Sequence, residues 1–160
     1  MALQRPQSTS PPRPTAWFAL IGAHGGAGTT SVLRMLDPEN DGFARELPRG
    51  EHLPQNYTPV VVVRSTAYGL HCAGALLQAW HPQVPRPYLV IVADAPLRPP
   101  TAVRFRTRAL SGRTLGTVHV PYLVQLRSAD DASDALSYRP VARASRALRS
   151  GLGLNLTEKG

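Results

Sequence analysis

The stretch at residues 20–31, Leu-Ile-Gly-Ala-His-Gly-Gly-Ala-Gly-Thr-Thr-Ser, constrains the fold more than any other part of the chain. An apolar run at residues 17–21 enters it, and a run with helical spacing at residues 31–36 leaves it. Strand, glycine-rich turn and helix in that order bring backbone N–H groups and a helix N-terminus to one point, which is how phosphates are cradled. Gly25, Gly26 and Gly28 are expected to supply the positive φ angles and the close backbone approach that such a nest needs. The same pattern also serves as a plain strand-to-helix turn in an α/β protein.

Gly-Ala-His-Gly-Gly-Ala-Gly-Thr-Thr-Ser resembles the deviant Walker A loop of the MinD/ParA family, Lys-Gly-Gly-x-Gly-Lys-Thr-Thr. By that resemblance His24 stands at the signature lysine, Thr29 at the phosphate-contacting lysine and Thr30 at the magnesium threonine. Ala23 replaces the first glycine of the general pattern. Both cationic positions are lost, and no lysine nearby can replace them, because the only lysine in the chain is Lys159. The resemblance implies a site for ATP or another nucleotide with Mg2+, built from Gly25, Gly26, Ala27, Gly28, Thr29, Thr30 and Ser31, with Thr30 on the metal. It also implies a homodimer formed through nucleotide, although the lysine that reaches across such a dimer is absent. The loss of charge points to a protein that binds nucleotide weakly and turns it over poorly.

At 160 residues the chain has room for one domain with a single sizeable core and tails. Its formal net charge of +8 comes from 18 basic residues against 10 acidic ones. A surface of that sign favours polyanions: nonspecific DNA, an anionic membrane or an acidic protein. The single cysteine, Cys72, excludes an internal disulfide framework and a cysteine-rich zinc site. No apolar run has the length of a transmembrane segment, and the N-terminus lacks the apolar core of a signal peptide, so the cytoplasm is the expected compartment.

Residues 1–15 are proline-rich with almost nothing to bury and read as a disordered tail. Residues 16–138 read as an α/β domain, and residues 139–160 as a basic amphipathic helix with a C-terminal tail. Strands are expected at 16–21, 59–63, 88–93 and 116–120, and helices at 31–36, 68–80, 101–110 and 140–149. Residues 37–58 hold three prolines and two glycines, with no convincing strand. In the MinD/ParA proteins that region carries further strands and a switch aspartate, so the chain looks shortened there. Strands alternating with helices at this spacing predict βαβ units. The expected fold is a compact three-layer P-loop NTPase-like α/β domain with a mainly parallel sheet of about four or five strands.

Asp94 ends the apolar run Leu-Val-Ile-Val-Ala and admits three roles. As a Walker B carboxylate it would sit beside magnesium through water. By strand order in the resemblance it faces adenine, with the segment at Pro121 lining the base pocket. It also fits a plain strand-end turn. All three put it at the carboxyl edge of a parallel sheet, where such folds bind ligands. His24 reads either as a phosphate donor or as an exposed loop residue, and Arg64 as a replacement for the missing lysine or as a surface ion pair. Arg104, Arg106 and Arg108 alternate, so a helix would spread them around its solvated face. Arg139, Arg143, Arg146 and Arg149 share a helix with Val141, Ala144, Leu148 and Leu152, either docked on the domain or free for a partner. The resemblance covers about residues 17–135, and small ParA-related proteins of GC-rich bacteria share this compact outline. Its implied function is a degenerate nucleotide-binding protein acting as a regulatory or scaffold component in plasmid partition or conjugation. A low-rate ATPase that uses arginine, and a nucleic-acid-binding module with a vestigial loop, are the alternatives.

Overall fold

The computed structural model describes residues 17–128 and 132–154. The proline-rich tail expected at 1–15 and the last six residues lie outside them. Five strands, β1 (Trp17–Gly22), β2 (Ala44–Glu46), β3 (Tyr57–Arg64), β4 (Tyr88–Val92) and β5 (Thr117–Val120), form one sheet in the order β2-β1-β3-β4-β5. Every pairing is parallel. The helices are α1 (Thr29–Leu36), α2 (Ala67–Gln78), α3 (Thr101–Ser111), the short α4 (Val124–Ser128) and α5 (Ala132–Ala135), and α6 (Arg139–Gly151).

Alternation along the strands divides the interior into two cores. Val60, Val62, Val90 and Val92 pack with Phe18 and Leu20 against α1, α5 and α6. Val61, Val63, Leu89 and Ile91 face the other way, onto Leu70, Ala73 and Leu77 of α2 and Val103 of α3. A strand buried on both faces must be apolar throughout, which is why Pro-Val-Val-Val-Val reads as a continuous run rather than an alternating one. Helices on both faces of an all-parallel sheet make the fold a three-layer α/β domain.

Residues 37–58 do hold a strand, contrary to expectation. β2 pairs Phe18 with Ala44 and Leu20 with Glu46, and Leu47 N–H closes the ladder on the Leu20 carbonyl at 2.8 Å. Only Ala44 of its three residues is buried, and an edge strand this short leaves no periodic signal.

The turn into β2 hangs on Asp37, which is 2% exposed. Its carboxylate accepts from Asp41 N–H at 2.7 Å and from Gly42 N–H at 2.8 Å. Asp37→Ala removes both charge-assisted bonds, but Asp41 and Gly42 are exposed, so water can take over their donors. The expected loss is roughly 2 kcal/mol, read as a lower urea midpoint at unchanged slope.

The C-terminal helix is docked. α6 buries Val141, Ala144, Ser145 and Leu148, and Leu152 and Leu154 continue the same core. Burying Val141, Leu148 and Leu152 contributes on the order of 5 kcal/mol, so residues 139–154 belong to the domain rather than to a separable arm. Arg139, Arg143 and Arg146 stay on its outer side, away from that core. No helix among the described residues is long and apolar enough to cross a membrane.

Candidate functional site

β1 sends its chain to α1 on one face of the sheet, whereas its neighbour β3 sends its chain to α2 on the other. Between two such strands the helices diverge and leave a crevice beyond the carboxyl ends, where open α/β sheets bind ligands. The glycine loop leaves β1 and Arg64 ends β3, so both stand at this crevice.

Gly26 (φ 76°) and Gly28 (φ 93°) take the left-handed conformation expected of them. Gly25 does not: its φ is ordinary, and a Cβ built on it would meet nothing within 4 Å. Two left-handed residues suffice because Ala27, 2% exposed, sits between them in the core and fixes the bend. Gly28 also caps α1 without any side-chain bond, so the amides of Thr29, Thr30 and Ser31 open the helix without an intrahelical acceptor. Positive φ at alternate residues and a bare helix N-terminus turn backbone donors and the positive end of the helix dipole toward one point.

The hydroxyl side chains of the first turn diverge. Thr30 Oγ1 donates to Glu46 Oε1 at 3.0 Å, joining the start of α1 to the end of β2. Thr29 Oγ1 turns back toward β1, where a Cβ on Gly22 would come within 2.8 Å of it. Ser31 is half-buried in the first turn.

Arg64 lies across the loop. Its Nε donates to the Gly26 carbonyl at 3.0 Å, and its Nη2 is 3.6 Å from where a Gly28 Cβ would stand. The rest of the guanidinium fork keeps its donors, in a geometry that suits phosphate. Arg49 reaches the base of the loop from behind, donating to the Ala23 carbonyl.

His24 is not a loose loop residue. Its Nδ1 pairs with the Gly25 carbonyl at 2.9 Å, and its Nε2 accepts the Arg64 backbone N–H at 3.2 Å. Those partners assign the neutral tautomer with the proton on Nδ1. Both ring nitrogens are therefore spent on the scaffold, which leaves neither for a phosphate. The ring meets Tyr68 edge-on at 5.8 Å. The Tyr68 phenol is held above its ordinary value, chiefly by a hydrogen bond with Cys72 one turn along α2.

Asp94 is exposed just past β4, and its N–H donates to Ser65 Oγ at 3.0 Å. β3 lies between β4 and the loop-bearing strand. Pro121 follows β5 and shares a cavity wall with Ser65 and His119. The structure thus gathers residues 25–31 with Arg64 and Glu46, and leaves Asp94 and Pro121 farther along the same sheet edge.

Glu46 and Gly69 were not legible as site residues. Glu46 ends a strand too short to recognise. Gly69 is buried in the first turn of α2, where a Cβ would fall 2.5 Å from the Arg64 carbonyl and 2.9 Å from His24 Nε2. The Gly-Leu pair after the valine strand was its only signal.

A cavity of about 600 Å3 lies behind the loop between residues 47–53 and α2, with Leu47, Leu76 and Trp80 in its walls. It touches the loop only through Ala23, so the convergent polar groups, rather than the cavity's size, mark the site. Among the described residues no group of three or more His, Cys, Asp or Glu side chains could hold a metal ion. Compared with protein-family models, with curated proteins and with solved structures, the chain has no match.

Proposed function

We propose that the glycine loop is a phosphate cradle, and that the chain is a degenerate MinD/ParA-like protein that binds a nucleoside triphosphate, ATP in the first instance. It acts as a regulatory or scaffold component, in plasmid partition or conjugation, rather than as an efficient ATPase. The observation that carries this reading is Arg64. A chain without a loop lysine has an arginine bonded to Gly26 and lying over Gly28.

Mg2+ fits the residues present. A threonine hydroxyl that donates to a carboxylate keeps its lone pairs for a hard cation, and Glu46 supplies the charge. Thr30 would hold the ion and Glu46 would orient it directly or through water, with ligand oxygens completing the shell. When bound, the ion offsets phosphate charge.

Arg64→Ala tests the reading by calorimetric titration of ATP with Mg2+. Removing the guanidinium from a half-buried site is expected to weaken ATP about tenfold or more, while ADP is weakened less. Equal ATP affinity in the native chain and in Arg64→Ala would remove the main support for this site. Arg64 also gives the low-rate ATPase reading a specific residue, and turnover by the native chain separates the two.

A further inference from the structure

On the opposite face of the sheet, under α3, a cavity of about 360 Å3 opens at the same carboxyl edge. Arg98 reaches it from the connection after β4, and Arg104 and Arg108 reach it from α3. The two helical arginines are four residues apart, so they share one side of α3. Arg106 lines a different concavity, toward α2. The alternating arginines therefore do not simply spread over a solvated face: two of the three converge.

One donor in this cluster lacks an acceptor. Arg104 donates from Nη2 to Thr101 Oγ1 at 3.2 Å, but its Nε is buried with no hydrogen-bond partner among the described residues. A buried charged donor left unpaired is costly, and its usual explanation is a bound water or ion. Three arginines and no carboxylate are among the described residues that line the cavity; Arg104 is half-buried there, and Arg98 and Arg108 are exposed. Ser65 Oγ accepts from Asp94 N–H, which leaves its proton to donate. Thr107 Oγ1 donates to the Val103 carbonyl and can only accept. Ile91 and Val120 supply an apolar wall opposite the charges.

We propose that this cavity is a second anion site, for a small phosphomonoester with an apolar body. A dianion matches the bidentate forks of several arginines better than a monoanion does. The volume lies at the lower end of the ligand-pocket range, enough for a phosphoryl group and one ring. The inference does not rest on the glycine-loop reading, since the two sites occupy opposite faces of the sheet.

The test is a titration of phenyl phosphate into the 15N-labelled full chain, following backbone amides and arginine Nε–H signals at constant ionic strength. Saturable shifts are expected at Arg104 Nε–H, Ser65 and His119. Arg104→Gln is expected to weaken the apparent affinity about tenfold or more, and Arg106→Gln to leave it unchanged. Arg108→Gln provides a second variant with the same expected direction, should Arg104→Gln fold poorly. Benzoate, which keeps the ring and carries one charge, is expected to bind several-fold more weakly. Shifts confined to residues 22–31, equal losses in the Arg104 and Arg106 variants, or an equal response to chloride would overturn the assignment. The first of those outcomes would leave the glycine-loop reading standing.

Discussion

The intact chain is expected to hydrolyse ATP no faster than the uncatalysed background, even with saturating Mg2+. Phosphoryl transfer depends on positioning and on neutralising charge that shifts among phosphate oxygens. On the proposed reading Thr29 stands where a phosphate-binding loop would carry lysine, and its hydroxyl turns toward Gly22. Arg64 brings charge, but its Nε is tied to the Gly26 carbonyl and its backbone N–H to His24. A cation fixed in that way holds bound phosphate without following the transition state, which improves binding more than rate. Losing one preorganised donor costs about 3–4 kcal/mol. Each 1.36 kcal/mol is about tenfold, and the missing charge adds to the missing donor, so turnover should fall by a thousandfold or more. Binding is expected to survive, because the loop amides and the α1 N-terminus remain. Thr29→Lys should strengthen ATP binding in calorimetry. Robust Mg2+-dependent phosphate release by the native chain would refute this account of the missing lysine.

Gly69→Ala is expected to destabilise the fold by about 3 kcal/mol, although alanine in a helix is normally favoured over glycine by about 1 kcal/mol. The added carbon would lie 2.5 Å from the Arg64 carbonyl, which is backbone and has little room to give. It would also meet His24 Nε2 at 2.9 Å and the Thr66 hydroxyl that caps α2 at 3.0 Å. Relief of the clash pushes α2 from β3 and releases His24 from the Arg64 N–H. The same variant should therefore lose ATP affinity as well as stability. Gly25→Ala is the control within the loop, because its Cβ meets nothing, and its effect on stability should stay within about 0.5 kcal/mol. Urea unfolding of both variants decides the matter: equal stabilities would mean that the α2–β3 packing is not under steric constraint.

The buried strands and long helices were legible because burial on both faces demands uninterrupted apolar runs. Pro-Val-Val-Val-Val and Leu-Val-Ile-Val mark β3 and β4 within a residue or two of their observed bounds. β2 was not legible, since its pairing rests on backbone bonds to β1 and one buried alanine. Glu46 was lost with it, and so was the carboxylate beside Thr30. Asp94 could be assigned to the carboxyl edge of the sheet but not to a role, because sequence alone cannot say which strand separates two others. The tension between docked and free for the arginine-rich helix was settled by Val141 and Leu148, which enter the core while Arg139, Arg143 and Arg146 stay outside. The partnership of His24 with Arg64 spans 40 residues of sequence and leaves no local pattern.

On the proposed reading, backbone amides of the glycine loop hold a triphosphate. Hydrogen exchange of the full chain, with and without ATP and Mg2+, addresses those amides directly. The loop and the first turn of α1 carry exposed or half-buried residues around Ala27, so they should exchange readily in the free protein. Added ATP is expected to slow exchange across residues 25–31 and at the Arg64 end of β3, while residues 101–111 stay unchanged. Unaltered exchange at 25–31 under ATP concentrations that saturate any calorimetric signal would contradict the claim.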